Sequence, residues 1–139
     1  MKISVYEGFT NYAKEIRESV FINEQGFQNE FDEIDSVASH IVLFSDQGKP
    51  IATCRVFWNT EMNEYTLGRL AVIKEYRGKN IGSIIVGEAE KYVKKKGGTG
   101  IILHAQCRVT DFYKKLGFTE FGNIEDEEGC PHIWMKKSI

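Results

Sequence analysis

The 139-residue chain has three cysteines, Cys54, Cys107 and Cys130, and no CxxC pair among them. An odd, widely spaced set argues against both a disulfide framework and a structural zinc site. His40, His104 and His132 are scattered and no HExxH is present, so no metal is expected. No apolar run approaches the roughly 20 residues of a membrane span. The opening MKISVYEGF lacks the apolar core of a signal peptide. A cytoplasmic location with no membrane partner is the expectation. Repeats, linkers and low-complexity stretches are missing too, so residues 1–139 are expected to form one domain.

The charge is unevenly placed. Residues 1–73 carry 6 Lys/Arg against 11 Asp/Glu, residues 74–115 carry 10 against 4, and the remainder 2 against 5. A basic middle between acidic ends suggests an anion bound by the middle. Nucleic acid fits poorly, because the basic stretch lacks interleaved aromatics and the whole chain is acidic. Within it, Lys94-Lys95-Lys96 reads equally as a solvated helix face.

Periodicity outlines the elements. KISVYEG (2–8) alternates as a strand, and Thr10 can cap a helix to about Gln25 with Tyr12, Ile16, Val20 and Phe21 on one face. Residues 28–37 are acidic and aperiodic. Segments 40–45 and 51–59 make a hairpin, and 65–73 is a strand interrupted by Gly68. Ile81 to Lys96 is an amphipathic helix with a Glu90–Lys94 pair, ended by Gly97. An apolar strand (100–106), a short helix (108–116) and two closing strands follow, the last expected at a sheet edge because of Pro131. The order describes a mixed α/β domain.

Between strand 65–73 and the long helix lies YRGKNIGS (76–83), with two glycines and two cations where a turn alone would suffice. A P-loop would need GxxxxGK[ST] and a dinucleotide fold GxGxxG; neither is there. Backbone N–H groups converging at a helix start would suit a diphosphate, with Arg77 and Lys79 adding charge and Gly82 and Ser83 allowing close approach. The same residues also read as a plain glycine turn.

LGRLAVI (67–73), RGKNIG (77–82) and HAQCRVTDFYKKLGF (104–118) together resemble the GNAT superfamily of acyl-CoA N-acyltransferases. The acidic FINEQGFQNEFDEID before His40 looks like the small ElaA/YjcF-like bacterial branch. Arg77 and Gly82 match the family's Arg/Gln-x-x-Gly-x-Gly/Ala loop, while Asn80 stands at its middle glycine and tolerates left-handed backbone. Phe112-Tyr113 and Gly117-Phe118 match its FYxxxGF segment.

The resemblance implies a twisted, mostly antiparallel sheet of six to seven strands with about four helices, splayed between strands 65–73 and 100–106. It implies acetyl-CoA as cosubstrate and an unidentified primary amine as acceptor, in a monomer or homodimer. The implied cofactor contacts are Leu70, Ala71 and Val72 for pantetheine, Arg77, Gly78, Lys79, Asn80, Ile81, Gly82 and Ser83 for the diphosphate, and Gln106 and Tyr113. Val72 N–H would stabilise the oxyanion and Tyr113 would protonate the thiolate. For the base, Glu24, His40 and a water relay remain open, and Cys107 is considered as an acyl carrier. A protein lysine or N-terminal acetyltransferase and a CoA-binding regulatory module are the alternatives.

Overall fold

The computed structural model describes all of residues 1–139. Seven strands form one sheet in the order β1-β2-β3-β4-β5-β7-β6: β1 Lys2–Glu7, β2 Ser39–Phe44, β3 Pro50–Asn59, β4 Glu64–Val72, β5 Gly100–Gln106, β6 Thr119–Glu127 and β7 Cys130–Ser138. Every pairing is antiparallel except that of β4 with β5. A parallel pair needs a crossover, here α3 (Ile81–Lys95), preceded by α1 (Asn11–Arg17) and α2 (Ile34–Val37) and followed by α4 (Thr110–Lys115).

Several local expectations meet a different outcome. Thr10 does cap α1, its hydroxyl accepting from Tyr12 N–H. The helix does not run on regularly to Gln25, however: residues Glu18–Glu24 widen into π-helix, and Gln25 N–H reaches back five residues to Val20 C=O. Ile16, Val20 and Phe21 are buried as the spacing predicts, whereas Tyr12 is exposed. In α3, Glu90 turns away from Lys94 and bonds Lys137 on β7 at 3.0 Å. Gly97 stops α3 at φ +86°, and Gly98 N–H closes on Val93 C=O.

Strand β7 is interior, and β6 holds the edge instead. Pro131 is tolerated because it precedes the pairing with β5, which begins at His132–Gln106. The β6–β7 turn has Glu128 (φ 49°) and Gly129 (φ 81°) both left-handed, the geometry of a two-residue hairpin loop.

Helix α1 packs on β2, β3 and β4, and α3 packs on β2 through β5. One continuous core joins them, centred on Ile41, Leu43, Ile51, Ile85, Ile101 and Met135.

Candidate active site

Strands β4 and β5 pair only at Thr66–Ile102 and Leu67–Leu103. Beyond Leu67 they part, and the cause is local to β4. Its register against β3 jumps from Arg55–Gly68 to Thr53–Ala71, so β4 carries one extra residue. Arg69 absorbs it in the left-handed region at φ 53°. Past the bulge, Ile73 N–H bonds Ile51 C=O, so antiparallel alternation turns the N–H and C=O of Val72 away from β3 and toward the opening. The Val72 carbonyl is met there by Arg77 Nε at 2.9 Å.

At the mouth of the opening the chain makes a short 3₁₀ turn, Lys74–Tyr76, and enters α3. Gly78 (φ 77°) and Asn80 (φ 64°) are left-handed. Asn80 stands at the cap position, but its side chain bonds none of the first-turn amides. No backbone carbonyl takes the N–H groups of residues 78–83; the first helical bond runs from Ile84 N–H to Asn80 C=O. Six consecutive amides at the positive end of a 15-residue helix make an anion cradle. Gly82 has a second reason to be small, since a Cβ there would lie 3.1 Å from the Phe112 ring. Lys79 lies over the Tyr76 ring. Arg77 does not point freely outward: both its terminal nitrogens bond the Glu24 carboxylate, at 2.5 and 2.7 Å.

Tyr113 is buried on α4, edge-on to Phe112 and Phe118, and also lines the opening. Burial pushes its hydroxyl well above the ordinary phenol value, which keeps it a proton donor at neutral pH. Glu24 is less suited to accept a proton. Its hydrogen bond to Arg77 holds it below the ordinary carboxylate value. His40 is fully buried, with Nε2 on Asp35 C=O and burial lowering its affinity for a proton. Cys54 is sealed in the core and its thiol is pushed up to about 12, while Cys107 opens a 3₁₀ turn after β5. Gln106 is tied on both sides, donating to the Gln25 side chain and accepting from Arg108 Nε.

The opening leads into a cleft of about 620 Å³, within the usual range for a small-molecule site. It is lined by Leu70, Tyr113, Phe27, Trp58, His104 and Trp134 among others. Its upper wall is the acidic stretch, which the sequence shows with no cation of its own. Three arginines from elsewhere supply them. Arg17 of α1 bonds Glu30 and Asp35, Arg55 of β3 bonds Asp32 and Asp35, and Arg69 at the bulge reaches the Glu30 carbonyl and carboxylate. The stretch is therefore a neutralised brace on the bulge rather than a free acidic wall. Glu128 fixes the adjoining segment by accepting from the N–H groups of Gln28 and Asn29.

Sequence reasoning misses that brace and a second cluster. His104, His132 and Trp134 share a sheet face, with Glu125 and Glu127 of β6 beside them. The spacing of two between His104 and Gln106 hints at one face. Only the β5-β7-β6 register brings in the glutamates.

The profile described as an acetyltransferase (GNAT) domain matches residues 7–139. A candidate acetyltransferase of Bacillus subtilis is 35% identical over 130 residues, covering 90% of this chain and 86% of the relative. The crystal structure of a candidate N-acetyltransferase from Lactobacillus plantarum superimposes with a TM-score of 0.87 at 26% identity, covering 99% of both chains. Escherichia coli ElaA gives 0.84 at 21% identity, covering 98% of both, which shows the shared fold.

Proposed function

Because this chain belongs to the GNAT family of acyl-CoA-dependent N-acetyltransferases, we propose that it moves an acetyl group from acetyl-CoA to a primary amine by direct attack in a ternary complex. The observation that carries this reading is the run of unpaired amides at 78–83 beside a splay that leads inward to Tyr113. The amides of the loop and of Ile81, Gly82 and Ser83 take the diphosphate, with Lys79 adding charge. Pantetheine lies along β4 in place of the missing strand, beside Leu70 and Val72; the sequence-implied contact at Ala71 does not use its N–H and C=O, which the pairing with Thr53 turns toward β3.

Within the cleft the amine nitrogen attacks the thioester carbonyl, and the negative oxygen is held by the Val72 N–H. Collapse breaks the C–S bond, and Tyr113 gives its proton to the departing thiolate. Arg77 serves to fix the Val72 carbonyl and thereby the strand end, with Glu24 holding Arg77. Gln106 shapes the acceptor side through Gln25. A serine- or cysteine-type covalent intermediate is unnecessary, since two bound substrates already gain the rate of an intramolecular reaction.

The test is calorimetric titration of CoA together with release of free CoA from acetyl-CoA in the presence of an amine panel: an alkyl diamine, an amino sugar and a lysine-containing peptide. Saturable CoA binding with amine-dependent CoA release is the expected result. Binding without release for any amine would favour a regulatory CoA-binding module, and no binding would remove the reading.

A further inference from the structure

The geometry points to His104 as the proton acceptor for the incoming amine, with Glu127 as the residue that sets its tautomer; this rests on the acetyl transfer proposed above. His104 is the first residue of β5 beyond the last pair with β4, Leu67–Leu103, so it stands where the two strands begin to part. Its side chain lines the cleft and shares a face with Gln106, which bonds Gln25 on the side of α1. The neighbouring Leu103 and Ala105 point to the other face, which α3 covers. Tyr113, on α4, is anchored on that α3 side through the Phe112–Gly82 contact. A thioester in the splay thus has a phenol on one face and an imidazole on the other.

The bonding of the imidazole is specific. Nδ1 lies 2.7 Å from Glu127 Oε1. Two lone pairs cannot meet at that distance, so one proton lies between them. With the carboxylate ionised that proton is on Nδ1, and the neutral ring then carries its lone pair on Nε2. Nε2 is buried and has no hydrogen-bond partner. The charged group nearest to it is Glu125 Oε1, at 3.3 Å, on a side chain that is 60% exposed. Trp134 stacks on the ring at 4.6 Å between centroids and limits its rotation. The charged or titratable groups facing the ring are Glu125 and Glu127 from β6 and His132 from β7, whose ring is 5.1 Å away. His132 commits its own Nδ1–H to Cys130 C=O and turns Nε2 to Glu127 Oε2 at 3.5 Å. A carboxylate behind one imidazole nitrogen and a lone pair without a hydrogen-bond donor on the other is the arrangement of a positioned base.

The proton balance closes. The acceptor enters as an ammonium and gives one proton to Nε2, either as Glu125 swings aside or through that carboxylate. The resulting imidazolium is flanked by Glu125 and Glu127 and returns its proton to solvent. The neutral amine forms the C–N bond, the tetrahedral nitrogen loses a second proton, and the C–S bond breaks. Tyr113 protonates the sulfur and recovers that second proton. Overall one proton is released per amide formed.

Two measurements decide the matter. In ¹⁵N NMR of the imidazoles, neutral His104 in the wild-type protein is expected as the Nδ1–H tautomer; an Nε2–H ring would overturn the proposal whatever the turnover. In kinetics with the fastest amine of the panel, His104→Ala is expected to lower kcat/KM about a hundredfold at pH 7. The gap should then close by about tenfold per pH unit toward pH 9, because free amine becomes available without a base. Glu127→Gln, a change at a half-exposed side chain, should lose about tenfold with the same closing trend. A loss equal at pH 7 and pH 9 in both variants means a structural role and sinks the assignment. Absence of wild-type turnover with every amine instead removes the acetyl transfer on which the kinetic arm stands, while the tautomer still decides the His104–Glu127 pairing.

Discussion

Arg77, at the start of the anion cradle, holds Glu24, at the end of the π-helical segment, through two hydrogen bonds of 2.5 and 2.7 Å. Fifty-three positions separate the two in the chain. The pair joins the segment after α1 to the strand end that carries Val72, because Arg77 Nε also bonds the Val72 carbonyl.

If Glu24 positions Arg77 rather than accepting a proton, Glu24→Gln should leave kcat within about threefold of wild type. CoA affinity should weaken by about two- to fivefold as Arg77 loosens. A fall in kcat of a hundredfold or more at unchanged KM would return Glu24 to the role of base. Steady-state kinetics with a parallel CoA titration measures both.

Gly82 combines two constraints that substitution can separate. Gly82→Ala places a methyl group about 3.1 Å from the Phe112 ring, which must yield slightly. CoA affinity should change by less than about threefold. Gly82→Asp adds a carboxylate to the anion cradle and should weaken CoA binding by about thirtyfold or more, with the fold kept. Equal affinities for the two variants would mean that no phosphate sits at these amides.

Tyr113→Phe keeps the ring and its edge-on contacts with Phe112 and Phe118 while removing the proton donor. Folding and CoA affinity should stay near normal, and kcat should fall roughly a hundredfold, the usual contribution of a positioned general acid. Unchanged kcat would leave Tyr113 a packing residue.

The brace on the bulge should be visible in stability. Arg17 is buried with Glu30 and Asp35, so Arg17→Met leaves Glu30 with Arg69 and Asp35 with Arg55 as their remaining arginine partners and should cost about 3 kcal/mol in urea unfolding. Acid should act on the same cluster. Burial raises Asp35, but hydrogen bonds from Arg17, the Asp32 N–H and Arg55 outweigh it and bring its carboxyl from 3.8 down to about 2. A depressed carboxyl contributes stability that is complete above its unfolded value and lost as pH falls through the folded one. The wild-type protein should therefore lose stability between about pH 4 and pH 2. Glu30 works in the opposite sense, because burial raises it. Asp35→Asn should be less stable at pH 6 and flatter between pH 4 and pH 2; an equally steep acid limb in the variant would show that Asp35 is not responsible.

The sequence by itself determined what depends on near neighbours. Apolar spacing set α3 and most strands, Gly97 set the end of α3, and the glycines and asparagine of 76–83 marked the left-handed turn that leaves the first amides of α3 unpaired, because backbone freedom and helix-end charge are local properties. FYxxxGF placed Tyr113 on a short helix after β5. Tertiary structure alone decided which charges meet. Arg17, Arg55 and Arg69 come from a helix and two strands to neutralise an acidic stretch that looks unopposed in sequence. Pro131 looks like an edge residue until register shows that its missing N–H falls beyond the end of β5. His104 and Glu127 acquire a joint meaning only because β7 lies between their strands and sets their register. Coulomb and hydrogen-bond energies depend on distance in space, and across a sheet that distance follows from pairing order, which no local pattern encodes.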